Sequence, residues 1–165
     1  MNGLEAFALI RPPATIRRWD VANINDWTQV LASFPLFSGI SKRQLRKLVR
    51  SASLAEFAAG ETVIMSGDRT DALYVILSGA AKVVRRPAPR ELGSGDYFGE
   101  MALIDGAPRS ATVVAAQDLH VMRLPAKSVL RLIHRNPEIT VAMLRNLSTQ
   151  LRRLEAHSRP LTVEA

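Results

Sequence analysis

The chain has 165 residues and a mass of 18.1 kDa, with 47% hydrophobic and 22% charged side chains, the balance of one ordinary globular domain. It contains no cysteine, which excludes a disulfide framework, a cysteine-ligated zinc or iron–sulfur centre and a thiol nucleophile. The formal net charge is +7, which raises nucleic acid or an acidic surface as partners, and no apolar run approaches the ~18 residues of a membrane span, so the expected location is cytoplasmic.

Residues 1–22 read as a flexible tail, because Pro12 and Pro13 interrupt any helix. Residues 23–52 read as N-terminal helices. Asn25 is placed to cap a helix running to Phe34, with Trp27, Val30 and Leu31 on one face, and Pro35 stops it. Ser41 and Gln44 form a capping box for a second helix. Its apolar stripe is Leu45, Leu48 and Val49, and Lys42, Arg43, Arg46, Lys47 and Arg50 take the other faces.

Residues 53–124 change character. Strands are predicted over Thr62 to Met65, Leu73 to Leu77, Lys82 to Arg85, Ala111 to Val114 and Leu119 to Leu124. Between them lie turns at Ser66-Gly67-Asp68, Ser78-Gly79, Pro87 to Pro89 and Gly93-Ser94-Gly95-Asp96. Many short strands at regular spacing indicate a sandwich, jelly roll or barrel. Residues 125–157 return to the helical period. Val129, Leu132 and Ile133 make one stripe, and Asn136-Pro137-Glu138 predicts a new helix with Asn136 as its N-cap. In that helix Leu144, Leu147, Leu151 and Leu154 form a heptad-like seam, too short for a free coiled coil and expected to pack on the domain. Residues 158–165 read as a second tail.

The segment 98–113, FGEMALIDGAPRSATV, carries the chemistry. Gly99 lets backbone approach a ligand closely. Glu100 to Ile104 can form a helical turn whose N–H groups face an anion. Arg109, fixed behind Pro108, offers a planar fork for two phosphate oxygens, and the N–H groups of Ser110 and Ala111 add donors. Glu100, an acceptor when ionised, suits sugar hydroxyls. The alternative reading of the same residues is an internal Glu100–Arg109 ion pair that braces a turn.

The wording of this segment closely resembles the phosphate-binding cassette of cyclic nucleotide-binding domains. Those domains occur in regulatory subunits of cAMP-dependent protein kinase, in the catabolite activator protein and in cyclic nucleotide-gated channels. The matching elements are Phe98-Gly99-Glu100, Ala102-Leu103 and Pro108-Arg109-Ser110-Ala111-Thr112-Val113. Gly60-Glu61, Gly67-Asp68, Leu73 to Gly79, Leu92 to Asp96 and Pro35-Leu36-Phe37 extend the resemblance over about residues 34–155. It implies an α+β fold: an eight-stranded antiparallel β-roll (jelly roll) flanked by N-terminal and C-terminal helices. It implies that Glu100 accepts from the ribose 2′-hydroxyl. It implies that Arg109 pairs with the cyclic phosphate, helped by Gly99, Met101, Ala102, Ser110 and Ala111. Val63, Leu73, Val83, Leu103 and Val113 would line or support the roll. The base would be capped from the last helix, with Arg152 and Arg153 as candidates and Ser148, Thr149, His157 and Ser158 behind them. Ser110 after the arginine favours cAMP, with cGMP as a second ligand. No metal or other cofactor is implied.

The region from Arg17-Arg18-Trp19-Asp20 through Trp27 to Leu31 resembles the linker ahead of the ligand domain in bacterial cyclic nucleotide-gated potassium channels. The expected function is a regulatory module. Its C-terminal helix closes over the nucleotide and signals to a partner protein or an attached channel, and a dimer through the helices is a further option. The alternative is a truncated regulator of the catabolite-activator type, since the ten residues after Glu155 leave no room for a DNA-reading helix. Catalysis is not expected: His120, His134 and His157 lack metal-ligand spacing, and no catalytic triad or P-loop is seen. The charge itself divides unevenly. Residues 1–50 carry a net +5, residues 51–122 a net −3 and residues 123–159 a net +6. The basic excess therefore sits on the helices, which points to an acidic protein surface or a membrane face more than to nucleic acid.

Overall fold

The computed structural model describes residues 16–17, 24–69, 71–85 and 89–158. The chain opens with a short strand β1 (Ile16–Arg17), then α1 (Ile24–Ser33), a 3-10 turn over Pro35–Phe37 and α2 (Lys42–Ser51). Strands β2 (Ser53–Phe57), β3 (Thr62–Ile64), β4 (Ala72–Ser78), β5 (Ala81–Val84), β6 (Arg90–Leu92) and β7 (Tyr97–Phe98) follow. Then come α3 (Glu100–Asp105), β8 (Thr112–Ala115), β9 (Leu119–Pro125), α4 (Ala126–Arg135) and α5 (Pro137–Ser158). The predicted tail of residues 1–22 lies outside the described residues except for β1, which pairs with β2. The tail after Ser158 and the loop tip at 86–88 lie outside them as well.

The roll is two antiparallel sheets in the orders β1-β2-β9-β4-β7 and β3-β8-β5-β6. Its eight strands from β2 to β9 are the expected jelly roll, and β1 adds an edge to the first sheet. Strand β4 is buried on both faces. Ala72, Tyr74 and Ile76 point between the sheets, where they meet Phe98, Val113 and Val121. Leu73 and Val75 point the other way, into a second core with Leu31, Phe37, Leu45, Val49, Val129 and Met143. A strand flanked by sheet on one side and helices on the other has no polar face, so its sequence is a continuous apolar run.

Several expectations shift. Helix α1 starts at Ile24, so Asn25 stands inside its first turn, and its buried face is Ile24, Thr28 and Leu31, with Val30 exposed. Thr28 is tolerated there because its hydroxyl donates to the Ile24 carbonyl. The capping box holds: Ser41 Oγ accepts from the Gln44 N–H and donates to Gln44 Oε1. Asn136 is not an N-cap by side chain; its amide donates to the Leu132 carbonyl and closes α4. The seam on α5 is corrected most. Leu144 and Leu151 are 59% and 57% exposed, and the buried face is Ile139, Met143 and Gln150. The apolar stripe ends after Met143, and polar Asn146 and Gln150 continue the same face. Helical spacing that seeks only apolar residues therefore picks the wrong side.

Candidate ligand-binding site

The cassette is built by turns the sequence dictates. Gly99 has φ 91°, and Gly106 closes α3 with φ 69° and its N–H on the Ala102 carbonyl. Both are left-handed conformations that favour glycine. A Cβ on Gly99 would also overlap the Arg109 guanidinium. The return limb is tied down by Arg109 N–H to the Asp68 carbonyl and Gly67 N–H to the Arg109 carbonyl, each at 2.8 Å.

Arg109 is 4% exposed. It donates to the Gly99 carbonyl at 2.9 Å and to the Ala72 carbonyl at 2.7 Å, and its guanidinium lies 5.8 Å from the Tyr74 ring centroid. Tyr74 stacks in turn on Phe98 at 5.1 Å. Burial lowers the Arg109 pKa, opposed by the fields of Tyr74, Asp71, Asp68 and Glu100, yet a guanidinium remains charged. Glu100 is 6% exposed and accepts from Gln150 Nε2 at 3.4 Å. Glu100 and Arg109 line one cavity but form no ion pair, so the bracing alternative does not describe them. A buried cation and a buried carboxylate are instead held apart across a shared space, an arrangement that presents anion-binding and hydroxyl-binding groups to one compact molecule.

The cavity also takes Gly99, Met101, Ala102, Ser110 and Ala111 into its lining, so the cassette residues named from sequence are brought together. Ser110 donates to the Met101 sulfur at 3.6 Å. Val83 and Val113 form its apolar wall, while Leu73 and Leu103 belong to the core behind. Of the base-capping candidates, Arg152, Ser148 and Thr149 face a different groove with Val141 and Leu144. Arg153 is exposed but lies close enough to Arg90 for its charge to lower the Arg90 pKa, after burial, the larger cause. The side chains of His157 and Ser158 lie outside the described residues.

Sequence reasoning missed four polar lining residues. Arg85, Arg90 and Tyr97 come from the roll, and Gln150 comes from α5, where it also bonds Asn146 at 3.3 Å. Arg90 reaches Asn146 at 3.5 Å. Arg85 Nε is buried without a hydrogen-bond partner among the described residues, and burial raises the Tyr97 phenol against the lowering effect of neighbouring Asn146. The available signal was two polar residues, Asn146 and Gln150, continuing the face begun by Ile139 and Met143.

The family model for the cyclic nucleotide-binding domain matches residues 54–136, half of the chain. The chain belongs to the cyclic nucleotide-binding domain family. This cyclic nucleotide-binding domain is 37% identical over 124 residues to a cyclic nucleotide-gated potassium channel of Rhizobium etli, which covers 75% of this chain and 34% of the channel. It is 30% identical over 131 residues to a CRP-like cAMP-activated global transcriptional regulator of Mycobacterium tuberculosis, covering 76% of this chain and 58% of the regulator. It thus spans about a third of the channel's length. The fold superposes on a cAMP co-crystal structure of the regulatory domain of Toxoplasma gondii PKA with TM-score 0.68 at 24% identity, covering 78% of this chain and 51% of that one. Among the described residues no helix is long and apolar enough to cross a membrane, and no cluster of three metal-ligating side chains occurs.

Proposed function

We propose that this domain binds cAMP, with cGMP as a second ligand, and that α5 reports occupancy as a regulatory, non-catalytic device in the cytoplasm. The observation that carries the reading is Arg109, buried and fixed by two carbonyls, standing across one cavity from Glu100. In this reading Arg109 takes the cyclic phosphate, Glu100 the ribose 2′-hydroxyl, and Gly99, Met101, Ala102, Ser110 and Ala111 frame the phosphate. The base lies toward Arg90, Tyr97 and α5. Arg153 is better placed than Arg152 to reach it.

The readout is α5 and what it touches, an attached channel or a separate protein. The channel relative supports the first. The regulator relative supports a second reading, the sensor part of a transcription regulator of the catabolite-activator type. The exposed stripe of Val141, Leu144 and Leu151 on α5 supports pairing of two copies. Sedimentation of Leu144→Glu/Leu151→Glu as a monomer beside a wild-type dimer is the expected result, and a wild-type monomer at all concentrations contradicts the pairing.

Calorimetric titration with cAMP and cGMP tests ligand binding. Wild type binds with one-to-one stoichiometry. Arg109→Lys keeps the charge but loses the planar fork, so affinity falls by about tenfold or more. Undiminished binding by Arg109→Lys would show that the phosphate sits elsewhere.

A further inference from the structure

Helices α2 and α4 lie side by side and enclose a groove of about 260 Å³, separate from the nucleotide cavity and sharing no residue with it. Lys47 enters from α2, and Arg131 and Arg135 enter from α4. Leu48 and Leu132 form its floor, and both are buried. The two helices together carry eight lysines and arginines and no acidic residue. None of Lys47, Arg131 and Arg135 forms an ion pair with a carboxylate among the described residues. Arg131 is held in place by donating to the Lys127 carbonyl at 3.2 Å and to Ser128 Oγ at 3.5 Å.

We infer that this groove docks an acidic segment of a partner protein. Surfaces of soluble domains intersperse both signs of charge, and eight like charges on two adjacent helices repel one another. Carboxylates satisfy such a site directly, because arginine forks match them bidentately. The shape separates this partner from other polyanions. The cations converge on a concavity, whereas a phosphate backbone is tracked by a stripe, and no aromatic side chain lines the groove to stack a base. A bilayer is contacted through exposed apolar side chains, and the floor leucines are buried. The inference stands on this charge distribution and does not depend on nucleotide binding.

The test is fluorescence anisotropy of a fluorescein-labelled peptide of alternating glutamate and leucine at physiological ionic strength. Duplex DNA and phosphatidylserine–phosphatidylcholine vesicles are titrated in parallel. The groove variant is Lys47→Glu/Arg131→Glu/Arg135→Glu. The charge-matched control is Arg69→Glu/Lys82→Glu/Arg145→Glu, at exposed positions away from the groove. Melting curves confirm that each folds, and Lys47→Gln/Arg131→Gln/Arg135→Gln replaces the groove variant if it does not. Wild type binds the peptide, the groove variant loses about tenfold or more, and the control stays within about twofold. Equal losses in both variants, or no peptide binding by wild type, overturn the docking site. Groove-dependent binding of DNA or vesicles in preference to the peptide overturns the choice of partner.

Discussion

Arg109 has a structural role on which its proposed role in binding phosphate depends. Its two bonds to the Gly99 and Ala72 carbonyls join the cassette to β4, and its burial leaves the guanidinium fixed before any ligand arrives. Preorganisation of this kind lowers the ordering cost of binding. Gly99 makes room for it. Gly99→Ala therefore brings two faults at once, a left-handed φ that costs roughly 1–2 kcal/mol and a methyl group that displaces the guanidinium. The expected outcome is a melting temperature lowered by a few degrees together with loss of nucleotide binding in a titration. A variant that is destabilised but still binds normally would show that Arg109 tolerates displacement. Glu100, Arg109 and the small residues around them were legible in the sequence, because glycine, proline, acid and arginine at fixed offsets in one turn leave little freedom. Arg85, Arg90 and Tyr97 were not legible. They reach the cavity from strands paired across the roll, and no local spacing records which strand faces which cavity.

At the scale of the element, α5 is decisive. Its apolar residues Ile139 and Met143 anchor it to the helical core, and Gln150 lands on Glu100. With Gln150 there, the remaining cavity is about 50 Å³. Small-molecule sites usually measure about 300 Å³ or more, so the proposed nucleotide binding here requires the distal part of α5 to lift. With Glu100 as the proposed sugar acceptor, Gln150 competes for the same carboxylate, and the closed arrangement reduces apparent affinity by the fraction of molecules that are open. Gln150→Ala accordingly raises the association rate and tightens apparent affinity, read by stopped-flow fluorescence with a labelled nucleotide. Slower or unchanged association would show that α5 does not gate the site. The sequence pointed to the wrong face of this helix because Leu144 and Leu151 satisfy heptad spacing. Asn146 and Gln150 break the apolar pattern where α5 meets the polar side chains of Arg90 and Glu100. The strands and the capped helix α2 were legible for the opposite reason: pattern, turn chemistry and burial agree there.

At the scale of the molecule, charge and shape divide the work. The roll is slightly acidic, so the proposed binding of an anionic ligand rests on one placed arginine and oriented backbone, with no help from bulk field. The helical layer carries the basic excess and a groove that faces solvent. Strand β4 connects them, since Leu73 and Val75 pack on the helices while Ala72 accepts from Arg109. The most direct test of the central claim is the melting temperature of wild type and Arg109→Ala with and without cAMP and cGMP. At a hundredfold over Kd the ligand adds about 2.7 kcal/mol, a rise of roughly 5–10 °C for a chain of this length. Arg109→Ala leaves the Gly99 and Ala72 carbonyls without their donor, which costs about 1–3 kcal/mol of stability and lowers its own melting point. The account predicts a clear nucleotide shift in wild type and none in Arg109→Ala. No shift in wild type with either nucleotide, or equal shifts in both proteins, would contradict it.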